Sequence, residues 1–449
     1  MDENFYLIIG LGKTGYSVAR YLQRKNINFA VFDTRNAISN LAEFQDEFPG
    51  INVFLGTIPE NILFQISTAI LSPGVDLNLP EIQKIKQHKI QFYGDIECLA
   101  KEEPGPVVAI TGTNGKSTVT TLVGEMAKNF DVSVAVAGNI GRPVLDLLDN
   151  DQQYGLWVLE LSSFQLDLTS SLKPLAATIL NITEDHLDRH ASYAEYVKVK
   201  QRIYRGAKFV LYNREDKQTI PENISEYSKE FISSYGFDEP KEGDWGLREY
   251  SGRMFISHGN TQIMPVDELK VKGRHNLINV LAACALANSA GISHQAKISA
   301  LQDFKGLKHR TQWLRTLNGV DWIDDSKGTN VGATIAAISG LGEAIDGEII
   351  LIAGGQGKGA DFTQLRPAVT QYVRAVVLYG EDANIMADAL VDTTIILRAT
   401  NIQEAVAVAR DEAYAKDSVL LSPACASFDM FRDFNHRGEV FSALVEELC

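Results

Sequence analysis

Cysteine is scarce in this chain: Cys98, Cys284, Cys425 and Cys449 are the only four among 449 residues. None sits in a CxxC pair or at a metal-ligand spacing. That excludes a disulfide framework and fits reduced thiols in a cytosol. Positive charge is also in deficit. A formal net charge of −15 leaves no basic footprint for nucleic acid or an anionic membrane, so any anionic ligand needs a local basic site. Long hydrophobic runs are missing. The longest apolar segment, 277–292, is interrupted by Asn279, Asn288 and Ser289 and is too short to span a bilayer. No basic n-region precedes the first apolar run, so no signal peptide is expected. Internal repeats and low-complexity tracts are absent as well. These absences leave a soluble, cytoplasmic, globular chain. At 449 residues it is too long for one core and suggests two to four domains.

The chain is organised around residues 107–120. Residues 107–110 are a β-branched apolar run and read as a buried strand. Thr111-Gly112-Thr113-Asn114-Gly115 is a glycine-rich turn, and Lys116-Ser117-Thr118 open a helical pattern. Strand, glycine loop, Lys-Ser and helix form a phosphate-binding arrangement. Gly112 and Gly115 let backbone N–H groups approach phosphate oxygens, and the helix N-terminus adds its dipole. Lys116 offers a charge to the β/γ-phosphates and Ser117 a hydroxyl to Mg²⁺. Ile110 stands where the full motif has glycine. ATP or GTP binding is the expectation, against a plain turn with a solvated lysine.

Three further regions carry chemistry-bearing residues. In the first, strand 5–9 leads into Gly10-Leu-Gly12-Lys13-Thr14-Gly15, and strand 28–32 ends in Asp33-Thr34-Arg35. This dinucleotide fingerprint with its downstream acid places a diphosphate on a helix N-terminus without saying which one, and NAD fits it. Strand 69–71 ends at Ser72-Pro73-Gly74, and residues 101–106 read as a linker. In the second region, strand 156–159 ends in Glu160, where a magnesium contact is expected in a phosphate-loop sheet. Strand 177–180 ends in the cluster 181–190, in which His186 and His190 have zinc-like spacing without supporting ligands. Ser192 and Glu195 then cap a helix bearing Lys198, Lys200 and Arg202, which by composition presents a solvated basic face. Asn276 and Asn279 share one side of an Ala/Leu-rich helix and face either a base or solvent. In the third region, strands alternate with helices and end in loops bearing Asp325, Lys327, Lys358 and Ser427. Residues 208–271 suggest no chemistry.

Thr111-Gly-Thr-Asn-Gly-Lys-Ser, Glu160-Leu-Ser-Ser-Phe-Gln, Asn181-Ile-Thr-Glu-Asp-His-Leu-Asp and Gly273-Arg-His-Asn, in this order, resemble the motifs of the Mur ligases, ATP-dependent amide ligases of peptidoglycan synthesis. Asp325-Ser-Lys-Gly-Thr-Asn, Gly354-Gly-Gln-Gly-Lys-Gly-Ala-Asp-Phe and Ser422-Pro-Ala-Cys-Ala-Ser-Phe-Asp resemble the branch that adds D-glutamate to UDP-N-acetylmuramoyl-L-alanine. Gly328 stands where that pattern more often has alanine. The resemblance covers nearly the whole chain.

It implies an α/β fold of three domains: a Rossmann-like UDP-sugar domain over 1–99, a central P-loop ATPase domain over 100–303, and a Rossmann-like amino-acid domain over 304–449. By resemblance, Lys13, Thr14, Asp33, Thr34, Arg35, Gly74, Asn139 and His186 surround the UDP sugar. Gly112, Thr113, Asn114, Gly115, Lys116, Ser117, Thr118, Asn276, His309, Arg310 and Asp325 serve ATP. Lys327, Thr329, Lys358, Ser427 and Phe434 hold D-glutamate. Lys116, Glu160, His186 and Lys200 are the implied catalytic set. Ser117, Glu160, His186 and a carbamylated Lys200 ligate magnesium, with two ions expected. A monomer acting on small molecules, without nucleic acid or membrane insertion, is implied. Folylpolyglutamate synthetase, an NAD oxidoreductase and a P-loop switch stand as alternatives.

Overall fold

The computed structural model describes residues 5–88, 90–148, 153–185, 189–190, 192–271 and 273–448. Three sheets follow one another along the chain. The first has five parallel strands in the order Val53–Leu55, Asn28–Asp33, Phe5–Ile9, Thr68–Leu71, Gln91–Tyr93. The strand order reverses beside Phe5–Ile9, so the crevice at its carboxyl end receives both the Gly10–Gly15 turn and the Ser72–Gly74 turn. Gly15 allows this close approach: a Cβ there would lie 2.1 Å from the Gly10 carbonyl oxygen.

The central sheet has nine strands. Its parallel part runs Phe209–Asn213, Ala176–Ile179, Val107–Thr111, Leu156–Glu160, Val134–Gly138. Continuous apolar strands of this kind are buried on both faces. The register pairs Ile110 with Glu160, which sets that carboxylate beside the phosphate loop. Residues 208–271 begin with the strand Phe209–Asn213 of that parallel part and continue into the sheet's other wing, ending in the antiparallel strands Trp245–Tyr250, Arg253–His258 and Thr261–Pro265. The third sheet has six strands, in the order Gln312–Leu317, Val320–Asp324, Ser418–Leu421, Ile349–Gly354, Val373–Tyr379, Ile395–Arg398. Only its first strand runs antiparallel to its neighbour. The helix Lys13–Arg24 ties the first sheet to the second, for Arg24 Nη2 donates to the Leu145 carbonyl at 2.9 Å and Arg20 Nη1 lies 3.2 Å from Asp146 Oδ2. Among the described residues no helix is long and apolar enough to cross a membrane.

An unusual buried lysine packs against this wing from the helix His294–Asp303. Lys297, 0% exposed, donates to Asn288 Oδ1 (3.0 Å) and the Ile292 carbonyl (2.9 Å), with Nζ 5.2 Å from the Trp245 ring. His258 stacks on the same indole, and His294 meets its edge. Burial pulls the Lys297 ammonium down to about 8, against a weaker opposing pull from Cys284. Between about pH 8 and the unfolded value near 10.4 the unfolded chain holds a proton that the native chain lacks, so this site adds stability as pH rises. A Lys297→Met variant lacks that gain. Its thermal midpoint relative to wild type should therefore fall as pH rises from 7.5 to 9.5, by the equivalent of about 2 kcal/mol. Parallel midpoint curves would refute the assignment.

Candidate active site

The phosphate loop is built where the strand Val107–Thr111 hands over to the helix Lys116–Lys128. Gly112 and Gly115 have φ of +152° and +82°, which L side chains rarely adopt. Asn279 packs against Gly115, where a Cβ would lie 2.3 Å from its Oδ1. Ile110 is a buried strand residue, so the glycine missing from the motif is replaced by core packing and the turn begins at Gly112. Lys116 Nζ lies across the loop and donates to the Gly112 (2.9 Å) and Thr113 (2.8 Å) carbonyls. A second loop, residues 181–185, buttresses the first. Asn114 and Asn181 exchange two hydrogen bonds of 2.8 and 3.0 Å, and the Thr113 hydroxyl accepts from Thr183 N–H at 3.0 Å.

Beneath this loop lies Lys200. Composition suggests a solvated basic helix, and the structure corrects that reading. Lys200 is 1% exposed, donates to the Gly112 carbonyl at 2.9 Å, and sits 4.6 Å from the Tyr196 ring centroid. The cause is packing: one side of the helix Tyr193–Gln201 is pressed under the sheet, leaving the other to solvent. Burial, reinforced by Lys116, pushes its ammonium well below the ordinary lysine value, while Asp185 and Glu160 pull the other way. Glu160 Oε1 accepts from Asn139 Nδ2 at 2.9 Å; its buried Oε2 has no hydrogen-bond partner. A carboxylate oxygen left unpaired beside a phosphate loop that carries a serine hydroxyl offers oxygen donors of the kind that suit a hard cation. His186 lies outside the described residues. His190 Nε2 is 2.9 Å from Ser163 Oγ and its ring stacks on Phe164.

The third sheet brings its own groups to the same place. Arg310 Nη2 donates to Ser117 Oγ at 2.7 Å across 193 residues of sequence. Asp325 accepts from Thr311 N–H (3.0 Å) and the Ser422 hydroxyl (2.7 Å), and burial raises its carboxyl to about 7 against those donors. Gly328 is explained here: a Cβ would lie 2.6 Å from both Asp325 Oδ2 and Ser422 Oγ. Lys327 rests 3.8 Å over the Phe434 ring, and burial followed by the charge of Arg310 lowers it to about 8. Thr329 N–H donates to the Lys327 carbonyl at 2.7 Å, shaping that loop. Ser427 is buried at the end of the neighbouring loop, and exposed Lys358 lies 5.7 Å from Phe428 on its rim. His309 is buried, with Nδ1 2.6 Å from Asp324 Oδ2, and packs on Gly438, so it braces the strand end. Asn276 stands on the first turn of the helix Arg274–Ser289, while Asn279 of that helix makes the loop contact.

In the first sheet Asp33 also differs from a ribose-facing acid. It is buried, accepts from Leu11 N–H at 2.8 Å, and pairs with Arg35 through Nε and Nη2, each at 2.8 Å. Burial raises its pKa, yet these donors outweigh burial and hold it below the usual carboxylate range. Asp33 therefore fixes the glycine turn and aims Arg35. Lys13 and Gly74 are exposed and Thr14 and Thr34 half-buried, in the segments that follow the strands Phe5–Ile9, Asn28–Asp33 and Thr68–Leu71. Sequence reading missed Arg437, a buried guanidinium that donates to the Ser326 and Cys425 carbonyls (2.8 and 3.1 Å) and so ties the Lys327 loop to the Ser427 loop. Its position on an unremarkable terminal helix gave no signal.

A phosphate loop flanked by a diphosphate-type crevice and a lysine-bearing third sheet defines a nucleotide-dependent enzyme that gathers several substrates. Residues 4–94 match the Mur ligase MurD-like N-terminal domain, 110–287 the Mur ligase middle domain, and 309–425 the Mur ligase glutamate ligase domain. The UDP-N-acetylmuramoylalanine--D-glutamate ligase of Legionella pneumophila (strain Paris) is 55% identical over 448 residues, covering 100% of both chains. The enzyme of that name from Pseudomonas aeruginosa is 46% identical over 448 residues, covering 100% of this chain and 99% of its own. Among solved structures, the UDP-N-acetylmuramate-alanine ligase of Thermotoga maritima aligns over 99% of each chain with a TM-score of 0.61 at 18% identity, a likeness of fold alone. The chain belongs to the Mur ligase family.

Proposed function

We propose that this enzyme joins D-glutamate to UDP-N-acetylmuramoyl-L-alanine at the expense of ATP, releasing ADP and phosphate, in cytoplasmic peptidoglycan precursor synthesis. The observation that carries the reading is the meeting of the phosphate loop with the amino-acid side of the third sheet, where Arg310 reaches Ser117 and Lys327 faces the same cluster. A carboxylate resists amine attack because it is anionic and has a poor leaving group. Phosphoryl transfer from ATP to the alanyl carboxylate turns it into an acyl phosphate. The D-glutamate nitrogen then forms the amide bond as the carbon–oxygen bond to phosphate breaks.

The chain's own residues divide the work. Gly112, Thr113, Asn114, Gly115 and Thr118 cradle the phosphates, and Lys116 meets the charge that builds on the transferred phosphoryl oxygens. Asn276 and Asp325 stand with Arg310 on the nucleotide side, with His309 bracing Asp324 behind them. Lys13, Thr14, Thr34, Arg35, Gly74, Asn139 and His186 take the UDP sugar, with Asp33 orienting Arg35. Lys327, Thr329, Lys358, Ser427 and Phe434 take D-glutamate, whose two carboxylates suit the lysines. Ser117, Glu160, His186 and Lys200 are the candidate magnesium donors. When bound, magnesium neutralises phosphate charge and orients the transfer. Lys200 joins this set as a carbamate, in which its neutral amine bonds CO₂ and releases one proton.

The test is phosphate release with ATP, Mg²⁺, UDP-N-acetylmuramoyl-L-alanine and D-glutamate, omitting one component at a time and substituting L-glutamate in parallel. Release should require both the UDP sugar and D-glutamate, with a product mass matching the amide. Release indifferent to either substrate would overturn the reading.

A further inference from the structure

We propose that Arg189 is a positioning residue that sets the sugar-holding loop of the first sheet in register with the phosphate loop of the second. The proposal rests on the UDP-sugar reading above. Arg189 belongs to the central part of the chain, yet its Nη2 donates to the Val75 carbonyl at 2.7 Å, across 114 residues. Val75 directly follows Gly74. It is also the residue that closes over the glycine turn, since a Cβ at Gly10 would lie 2.8 Å from Val75 Cγ2, and Ser72 Oγ donates to the Gly10 carbonyl at 2.9 Å. A shift of Val75 therefore moves the wall of the diphosphate crevice.

The same guanidinium is also fixed through its face. Its guanidinium carbon lies 4.6 Å from the Phe164 ring centroid, a cation–π contact. Phe164 stacks on His190 with centroids 5.6 Å apart and an interplanar angle of 12°. His190 meets Tyr196 at 5.2 Å, and the Tyr196 hydroxyl lies 3.2 Å from Thr113 Oγ1 in the phosphate loop. A continuous line of contacts thus joins the sugar crevice to the nucleotide loop. Asp76 adds little, for it is more than a third exposed and 3.8 Å from Arg189 Nε.

The surroundings explain why one side chain matters. A cavity of about 200 Å³ runs along this seam, lined by Leu71, Val75, Asp76, Phe164, Arg189 and His190 among others. Across this seam the sugar loop meets the central part of the chain through a directional hydrogen bond rather than dense packing. The two parts of the chain remain joined through Arg20 and Arg24 on the opposite side, so removing Arg189 frees the loop without separating them.

Arg189→Ala should raise KM for the UDP sugar by roughly tenfold or more, the scale of one charged hydrogen bond, while KM for ATP and D-glutamate and kcat at saturating sugar stay within about threefold. Arg189→Lys should show the same split, because an ammonium lacks the planar face that rests on Phe164. A structural fault would raise all three KM values together. An unchanged KM for the sugar, or an equal rise in all three, overturns the proposal; if the alanine variant fails to fold, the lysine variant decides on the same criteria. Wild-type enzyme assayed alongside separates the two readings. No turnover by wild type refutes the reaction itself, whereas normal wild-type turnover with an unshifted variant refutes only the role of Arg189.

Discussion

Replacing Lys116 by alanine is expected to lower turnover by roughly a thousandfold while the protein stays folded, the size of effect seen when a preorganised charge-stabilising donor is removed. The two halves of this expectation come from different contacts. Among the described residues Lys116 Nζ bonds the carbonyls of its own loop, so its loss removes two local hydrogen bonds there and no bridge between sheets. The Gly112 carbonyl keeps a donor in Lys200 Nζ at 2.9 Å, and Asn181 and Thr183 continue to hold the loop. Stability should therefore change little. Phosphoryl transfer has little covalent work for the protein to do, so the missing cation falls almost wholly on the rate. Single-turnover kinetics and a thermal melt check both halves. Near-normal turnover would sink the phosphate-loop assignment, and a collapsed melt would leave the rate loss explained by unfolding.

A second large effect is expected at Lys200. Alanine there should cost at least about a hundredfold in turnover if Lys200 serves as the proposed carbamate, because the variant cannot supply that oxygen donor to a cation. Arginine should not restore it, because a guanidinium stays protonated and cannot capture CO₂. Burial beneath Gly112 and beside Lys116 favours the neutral amine, which is the form that reacts. After incubation with ¹³C-labelled bicarbonate, wild-type protein should show a carbamate carbon resonance that is absent from the alanine variant. Turnover by the alanine variant at the wild-type rate, or a resonance that survives the substitution, would count against the role.

The strands were legible wherever burial on both faces writes a plain apolar run, as in Val107–Thr111, Phe5–Ile9 and Ser418–Leu421. The phosphate loop and the third-sheet lysines were legible too, because glycine, lysine and hydroxyl residues at strand ends have few other uses. Lys200 was not. Lys198, Lys200 and Arg202 read as one charged stripe, and only the sheet packed above them separates the buried lysine from its neighbours. The partners of Asp33 and His309, Leu11 N–H and Asp324, were not legible, since they are chosen by tertiary geometry. The wing formed by residues 208–271 carries no motif, and its strands and short helical turns emerged only in the structure. Arg189 was hidden for a simpler reason, because its partner is a backbone carbonyl and any residue type supplies one.

The exchange of hydrogen bonds between Asn114 and Asn181, with Thr113 locked to Thr183, has a thermodynamic corollary. A glycine-rich loop left to itself would lose much conformational freedom on meeting a nucleotide, and that loss would weaken binding. Here the loop is already rigid when the chain has folded, so the entropy of ordering is settled before any ligand arrives. Loosening the brace with Asn181→Ala would move that loss from the folding reaction to the binding reaction, making nucleotide association more exothermic in appearance yet weaker in free energy.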